Sequence, residues 1–143
     1  MMKFNKYLAY LLITTGSIVS CSKSSDPTPS LVGTWDVSTF SLIGCTDGSL
    51  NFSDTPCGTL GGGSVLVSCE TWVFTATTIT VSGSLLGTIV FDYSLSGSTI
   101  TYKLGGSVVA TGTYVVTPTT LSITSDYTNV GAGCKMVETF TKQ

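Results

Sequence analysis

The stretch Thr88-Ile89-Val90-Phe91-Asp92-Tyr93-Ser94-Leu95, followed by Ser96-Gly97-Ser98 and then Thr99-Ile100-Thr101-Tyr102-Lys103-Leu104, decides the fold. Phe91, Tyr93 and Leu95 alternate with smaller or polar residues, and so do Ile100, Tyr102 and Leu104. A period of two puts each set on one face of a strand. The small residues between the runs are those of a tight turn, so the stretch reads as a β-hairpin with one aromatic face.

Outward from this hairpin the same grammar repeats. Strands are expected at Gly33 to Leu42, Cys69 to Thr75, Thr78 to Ser82, Thr88 to Leu95, Thr99 to Leu104, Val108 to Thr117, Thr120 to Tyr127 and Lys135 to Lys142. No stretch has a helical period long enough to matter, and the class is all-β. In the first strand Trp35 and Val37 share one parity and Phe40 and Leu42 the other, which predicts a bulge near Thr39. Tight turns at Ala76-Thr77, Ser96-Gly97-Ser98 and Pro118-Thr119 alternate with longer connections at residues 44–68, 83–87, 105–107 and 128–134. In an up-and-down order all tight turns lie at one end and all longer loops at the other. The expected architecture is an eight-stranded antiparallel up-and-down barrel, shaped as a cup.

Ahead of this domain, Lys3 and Lys6 precede the apolar run Tyr7 to Val19, which at 13 positions falls short of the roughly 20 residues of a spanning helix. It has the layout of a cleaved signal. The run ends in Ile18-Val19-Ser20-Cys21, which resembles the lipobox of bacterial lipoproteins. That resemblance implies a diacylglyceryl group on the Cys21 thiol, cleavage before it, and acylation of the new amino terminus by a palmitate-type chain. The expected division is a lipoprotein signal peptide at 1–20, a flexible tether at 21–30 and the barrel at 31–143. Ser22 to Ser30 is small, polar and interrupted by Pro27 and Pro29, too poor in apolar surface to order itself. More than one acyl chain gives stable attachment, since a single chain is only marginal. The expected location is the cell envelope, lipid-anchored at the outer membrane.

Cleavage removes 20 of the 143 residues and leaves 123, enough for one core. Charged residues make up 10% of the chain, against about 25% in typical globular domains, so the polar surface is built from hydroxyls. Without Lys3 and Lys6, four lysines face eight acids, a net charge of −4. Nucleic acid, which demands clustered cations, is not an expected partner. The sequence contains no histidine and no arginine. This excludes Ser-His-Asp or Cys-His nucleophile systems, histidine metal sites and arginine clamps for phosphate. Gly61-Gly62-Gly63 lacks the lysine of a phosphate loop. No enzyme activity, cofactor or metal is expected, and the expected state is a monomer.

Once Cys21 carries lipid, Cys45, Cys57, Cys69 and Cys134 remain. An even number in an exported chain favours two disulfides; a four-thiolate zinc site is the rival, without the Cys-x-x-Cys pair such sites use. Three pairings are possible. The strand order leans to Cys45 with Cys134 across the barrel seam and Cys57 with Cys69 holding down the long loop, all at the long-loop end.

At Leu31-Val32-Gly33-Thr34-Trp35 the chain resembles the lipocalin superfamily, whose first strand carries a Gly-x-Trp motif with the tryptophan plugging the closed end. With Cys45-Thr46-Asp47-Gly48, Cys69-Glu70-Thr71-Trp72 and Glu138-Thr139-Phe140-Thr141-Lys142, the region from Leu31 on is similar to the short lipocalin-like domains of bacterial envelope lipoproteins. It departs from lipocalins proper in having no arginine over the tryptophan, and Thr128 to Cys134 is too short for their terminal helix. Lys142, brought beside Trp35 by an antiparallel last strand, is expected either over the indole in the arginine's place or in a frayed, solvated terminus. The resemblance implies binding of a small apolar or amphipathic molecule in the barrel.

The candidate ligand-binding residues are Trp72, Phe74, Phe91, Tyr93, Tyr102 and Tyr114 in the lumen, with Leu85 and Leu86 on the lip. An eight-stranded barrel is either filled by its own side chains or holds one small ligand. The alternative function is therefore a non-catalytic interaction module with a filled barrel, acting through its long loops on another envelope protein. Glu70 and Glu138 share the parity of Trp72 and Phe140, and either point inward as a polar anchor or sit at the rim in water. A glycosidase pair has no other support in the chain. Asp36 and Asp92 are expected to face solvent.

Overall fold

A computed structural model describes residues 30–84, 87–127 and 133–143. The expectations for the signal peptide, for Cys21, for most of the tether, for Leu85 and Leu86, and for most of the 128–134 connection lie outside the described residues. The strands are β1 (Gly33–Ile43), β2 (Phe52–Pro56), β3 (Thr71–Phe74), β4 (Thr78–Ser84), β5 (Gly87–Ser96), β6 (Thr99–Leu104), β7 (Ser107–Val116), β8 (Thr120–Tyr127) and β9 (Cys134–Lys142). All neighbours are antiparallel. β3 to β9 follow one another in chain order, and β1 pairs with β3 on one edge and β9 on the other. Eight strands thus close into an up-and-down barrel, an architecture compatible with a lipocalin-like fold.

The connection at residues 44–68, expected to be loop, is more ordered than that. It holds two short 3-10 turns, Gly48–Leu50 and Gly62–Ser64, and the ninth strand, β2. β3 covers β1 only from Gly33 to Asp36, and β2 doubles back to take the free edge from Thr39 to Leu42. The exposed ladder of a long β1 is what recruits it, because unpaired strand edges leave backbone groups without partners. The Ser41 hydroxyl accepts a 2.8 Å hydrogen bond from the Asp54 amide, and the Cys57 amide donates to the Ser38 carbonyl, pinning the middle of β2 and the residue that follows it.

The β1–β9 register shifts between Val37 and Thr39, leaving Ser38 as the extra residue, one position from the expected bulge. Its hydroxyl donates to the Thr139 carbonyl. The bulge inverts the alternation, so that Trp35, Val37, Phe40 and Leu42 all pair with residues of the same inward row. Val37 lies opposite Phe140, Phe40 opposite Glu138 and Leu42 opposite Met136. The two parities in the sequence therefore belong to one interior face.

The interior is packed at the end where β1 begins. Trp35, Phe74, Ile79, Ile100, Leu121 and Phe140 are fully buried there, and a second cluster of Leu42, Cys45 and Cys134 closes the seam at the other end. Two disulfides join Cys45 to Cys134 and Cys57 to Cys69. Cys45 follows β1, Cys69 precedes β3 and Cys134 opens β9, three strand ends on the side of the longer connections, and β2 brings Cys57 back to them.

Candidate functional site

Three of the aromatic residues expected in the lumen build the floor instead. Tyr93 Oη donates to the Thr75 carbonyl at 2.7 Å, and Tyr114 Oη donates to the Gly97 carbonyl at 3.2 Å. Both hydroxyls thus serve the tight turns, and burial pushes the Tyr93 phenol above its ordinary pKa. Phe74 is buried between Trp72 and Tyr93, with ring centroids 6.1 and 5.7 Å away. None of the three reaches the cavity, because alternation fixes a residue's face and not its height along the barrel.

Trp35 seals this floor. Its Nε1 donates to the Leu31 carbonyl at 2.8 Å, and Lys142 Nζ lies 5.2 Å from the ring centroid. Gly33 leaves room for that ammonium stem: a Cβ on it would stand 3.2 Å from Lys142 Cε, and its φ of +144° favours glycine. The Gly-x-Trp spacing therefore has a local cause, a bare backbone under the side chain that covers the indole.

Above the floor lies a cavity of about 250 Å³. Trp72, Phe91 and Tyr102 line it, with Val81, Ile89 and Met136 completing an apolar wall. Trp72 meets Tyr102 edge to face at 6.3 Å, and Phe91 meets Tyr102 likewise at 6.4 Å. Two register shifts shape the opening. One, between β4 and β5, rests on Gly83, where φ is +84° and a Cβ would stand 2.7 Å from the Cys69 carbonyl oxygen. The other leaves Val109 as the extra residue of β7. Ser84 and the exposed Val109 and Ala110 sit where the cavity meets solvent.

The polar groups of this cavity converge on one side. Glu138 is paired across the sheet with Phe40 and Ile123, so it stands in the inward row of β9, and only 8% of its surface is exposed. Among the described residues no hydrogen bond reaches its carboxyl. Burial, and then the charge of Glu70, push its pKa up to about 8. Glu70 is held differently: its carbonyl accepts from the Val37 amide, and its carboxylate accepts a 3.0 Å hydrogen bond from Trp72 Nε1. The Tyr102 hydroxyl is buried without a partner, and burial followed by the nearby Glu138 charge raises its pKa strongly. Ser125, also buried, adds a hydroxyl.

A second cavity of about 190 Å³ adjoins the first under residues 65–68 of the long connection, with Val37 and Phe40 on its barrel side. Glu70, Met136 and Glu138 border both, so these three residues form the partition between them.

Asp36, expected in solvent, is on the outer wall, where hydrogen bonds from Gln143 and Thr71 hold its carboxyl below the usual range. Asp92 is exposed. Among the described residues no three His, Cys, Asp or Glu side chains gather to hold a metal ion. Val81, Ile89, Ser125 and Met136 were not singled out in the sequence. Their parity with Trp72, Phe91 or Glu138 is the signal available for them, once the bulges are known. Compared with protein-family models, with curated proteins and with solved structures, the chain matches none.

Proposed function

We propose that this protein is a lipid-anchored envelope lipoprotein whose barrel binds a small apolar or amphipathic molecule, without catalysing a reaction on it. The observation that carries the binding reading is the hollow above the floor. It is walled by Trp72, Phe91, Tyr102, Val81, Ile89 and Met136, and polar groups gather on one side. Small-molecule sites are generally concave and apolar with a few convergent polar groups. An apolar cavity of about 150 Å³ takes up benzene, so the volume here suits a ligand of roughly eight to ten heavy atoms. The anchor reading rests on the lipobox-like Ile18-Val19-Ser20-Cys21, and its expected site is the outer membrane. Because Leu31 lies against Trp35, the chain enters the barrel at the floor, which turns the mouth away from an anchor at Cys21.

Native mass spectrometry of the purified protein, with Trp72 fluorescence on titration of small apolar molecules, tests the binding. The expected result is uptake of one ligand per chain, lost or weakened at least tenfold in Phe91→Ala; a barrel that stays empty with every ligand tried defeats the reading. The anchor is tested separately. Cys21→Ser should release the exported protein from membranes, and retention of that variant in the detergent phase would refute a lipid at Cys21.

A second reading, contact with another envelope protein through the long connection, draws on Leu60 and Leu66, which pair with each other at its tip while remaining 64% and 50% exposed.

A further inference from the structure

We infer that the molecule held by the barrel is an amine: a primary ammonium group on an apolar body, with the ammonium seated between Glu70 and Glu138. This rests on the binding reading above and adds the chemistry of the ligand's head.

Three features point the same way. Glu138 is more than nine-tenths buried and, among the described residues, has no hydrogen-bond partner, and Glu70 borders the same two cavities. An unpaired buried carboxyl is costly unless something completes it. Second, no cation of the described residues faces these acids. Lys103 follows Tyr102 in β6 and so takes the opposite face. Lys135 pairs with Asp126 on the outside, and Lys142 lies over Trp35. Third, the orphan Tyr102 hydroxyl adds one more acceptor beside Glu138. An ammonium has three donors and no acceptor, which matches two carboxylates and a phenol oxygen. The faces of Trp72, Phe91 and Tyr102 attract a cation as well as an alkyl chain.

Other heads fit less well. A carboxylate ligand would bring a further negative charge beside these acids, in a site with no counter-ion. An alcohol would fill the apolar space and can exchange hydrogen bonds with these groups, but it brings no charge to set against Glu70 and Glu138.

The groups that titrate around Glu138 are Glu70 and Tyr102; its cross-strand neighbours Phe40 and Ile123 do not. Glu138 holds its proton at neutral pH in the empty barrel, so seating an ammonium there drives that proton into solvent. Amine affinity should then rise with pH up to about 8, by at most about tenfold per pH unit, while the affinity of a neutral ligand stays level.

The test uses calorimetry on the whole chain carrying Cys21→Ser, with n-octylammonium, n-octanol and n-octanoate as probes, at pH 6 to 8. The expected order is octylammonium tightest by at least tenfold and octanoate weakest, with proton release accompanying the amine alone. Glu138→Gln should cost octylammonium at least tenfold more than it costs octanol, removing the preference for the amine, and continued uptake of octanol by the variant shows that it is folded. Octanol or octanoate binding as tightly as the amine overturns the ammonium head while leaving a binding barrel. If none of the three is taken up, the binding reading fails and this inference with it.

Discussion

Glu138 is the residue at which stability and the proposed binding are set against each other. On β9 it occupies a place in the row of Met136 and Phe140 that a leucine would fill without cost, and its carboxyl is buried beside Glu70 and the Tyr102 hydroxyl. Its pKa of about 8 in the fold lies above the 4.5 of an ordinary glutamate, which stands for the unfolded chain. Between those two values unfolding releases a proton, so stability falls as pH rises through that window and levels off above it. The slope is at most about 1.4 kcal/mol per pH unit. Urea midpoints measured between pH 5 and pH 8.5 should therefore decline for the native sequence and stay nearly flat for Glu138→Gln, which should be the more stable protein at pH 8. Parallel curves for the two would show that Glu138 is not protonated in the fold. The same substitution is expected to remove the proposed preference for an amine, so on that proposal the carboxyl serves binding at the expense of stability.

Among the elements, the hairpin turns at the floor repeat one device. Thr75-Ala76-Thr77-Thr78 and Thr117-Pro118-Thr119-Thr120 each use the first threonine twice. Its amide donates to the carbonyl of the fourth residue, at 2.9 and 2.8 Å, and its hydroxyl accepts from that residue's amide at 3.0 and 2.9 Å. Turns this self-contained leave a clear mark in the sequence, and so do strands with strict alternation. That is why the barrel, its turn order and the bulge beside Thr39 were legible from residues alone. β2 was not, for a physical reason. Phe52-Ser53-Asp54-Thr55-Pro56 has a weak apolar pattern, a proline at its end and Asp54 at φ +48°, and it is a strand because β1 offers it an open edge. Proline is tolerated in such edge positions. The candidate site was legible by half in the same sense. Parity placed Trp72, Phe91 and Tyr102 inward and put Glu138 with Phe140. It could not say that Phe74, Tyr93 and Tyr114 stand at the floor, nor that slips at Gly83 and Val109 open the wall, because height and bulges depend on pairing with distant strands.

Taken as a molecule, the barrel has a solid end and a hollow end, and its covalent cross-links are on the hollow one. The solid end holds itself: six large side chains there are fully buried, each worth about 1.5 to 3 kcal/mol by burial alone. Around the cavities that packing is missing, since a cavity is space without contacts. The bridges Cys45–Cys134 and Cys57–Cys69 span 89 and 12 residues, and in the chain-entropy account they stabilise by roughly 4.5 and 3 kcal/mol. Their position adds a local role. The first fastens the seam where β1 meets β9, and the second holds the long connection against β3, over the second cavity. Reduction should therefore act unevenly. Followed by hydrogen exchange with and without reductant, amides near Leu42, Phe52 and Met136 should lose protection first, while those near Thr78, Ile100 and Leu121 keep it. Ligand affinity should fall in the same samples, because the partition that carries Glu70 and Glu138 lies under the second bridge. Loss of protection in step at both ends would mean that the bridges act only on the unfolded chain, and that the hollow end is as rigid without them as the solid one.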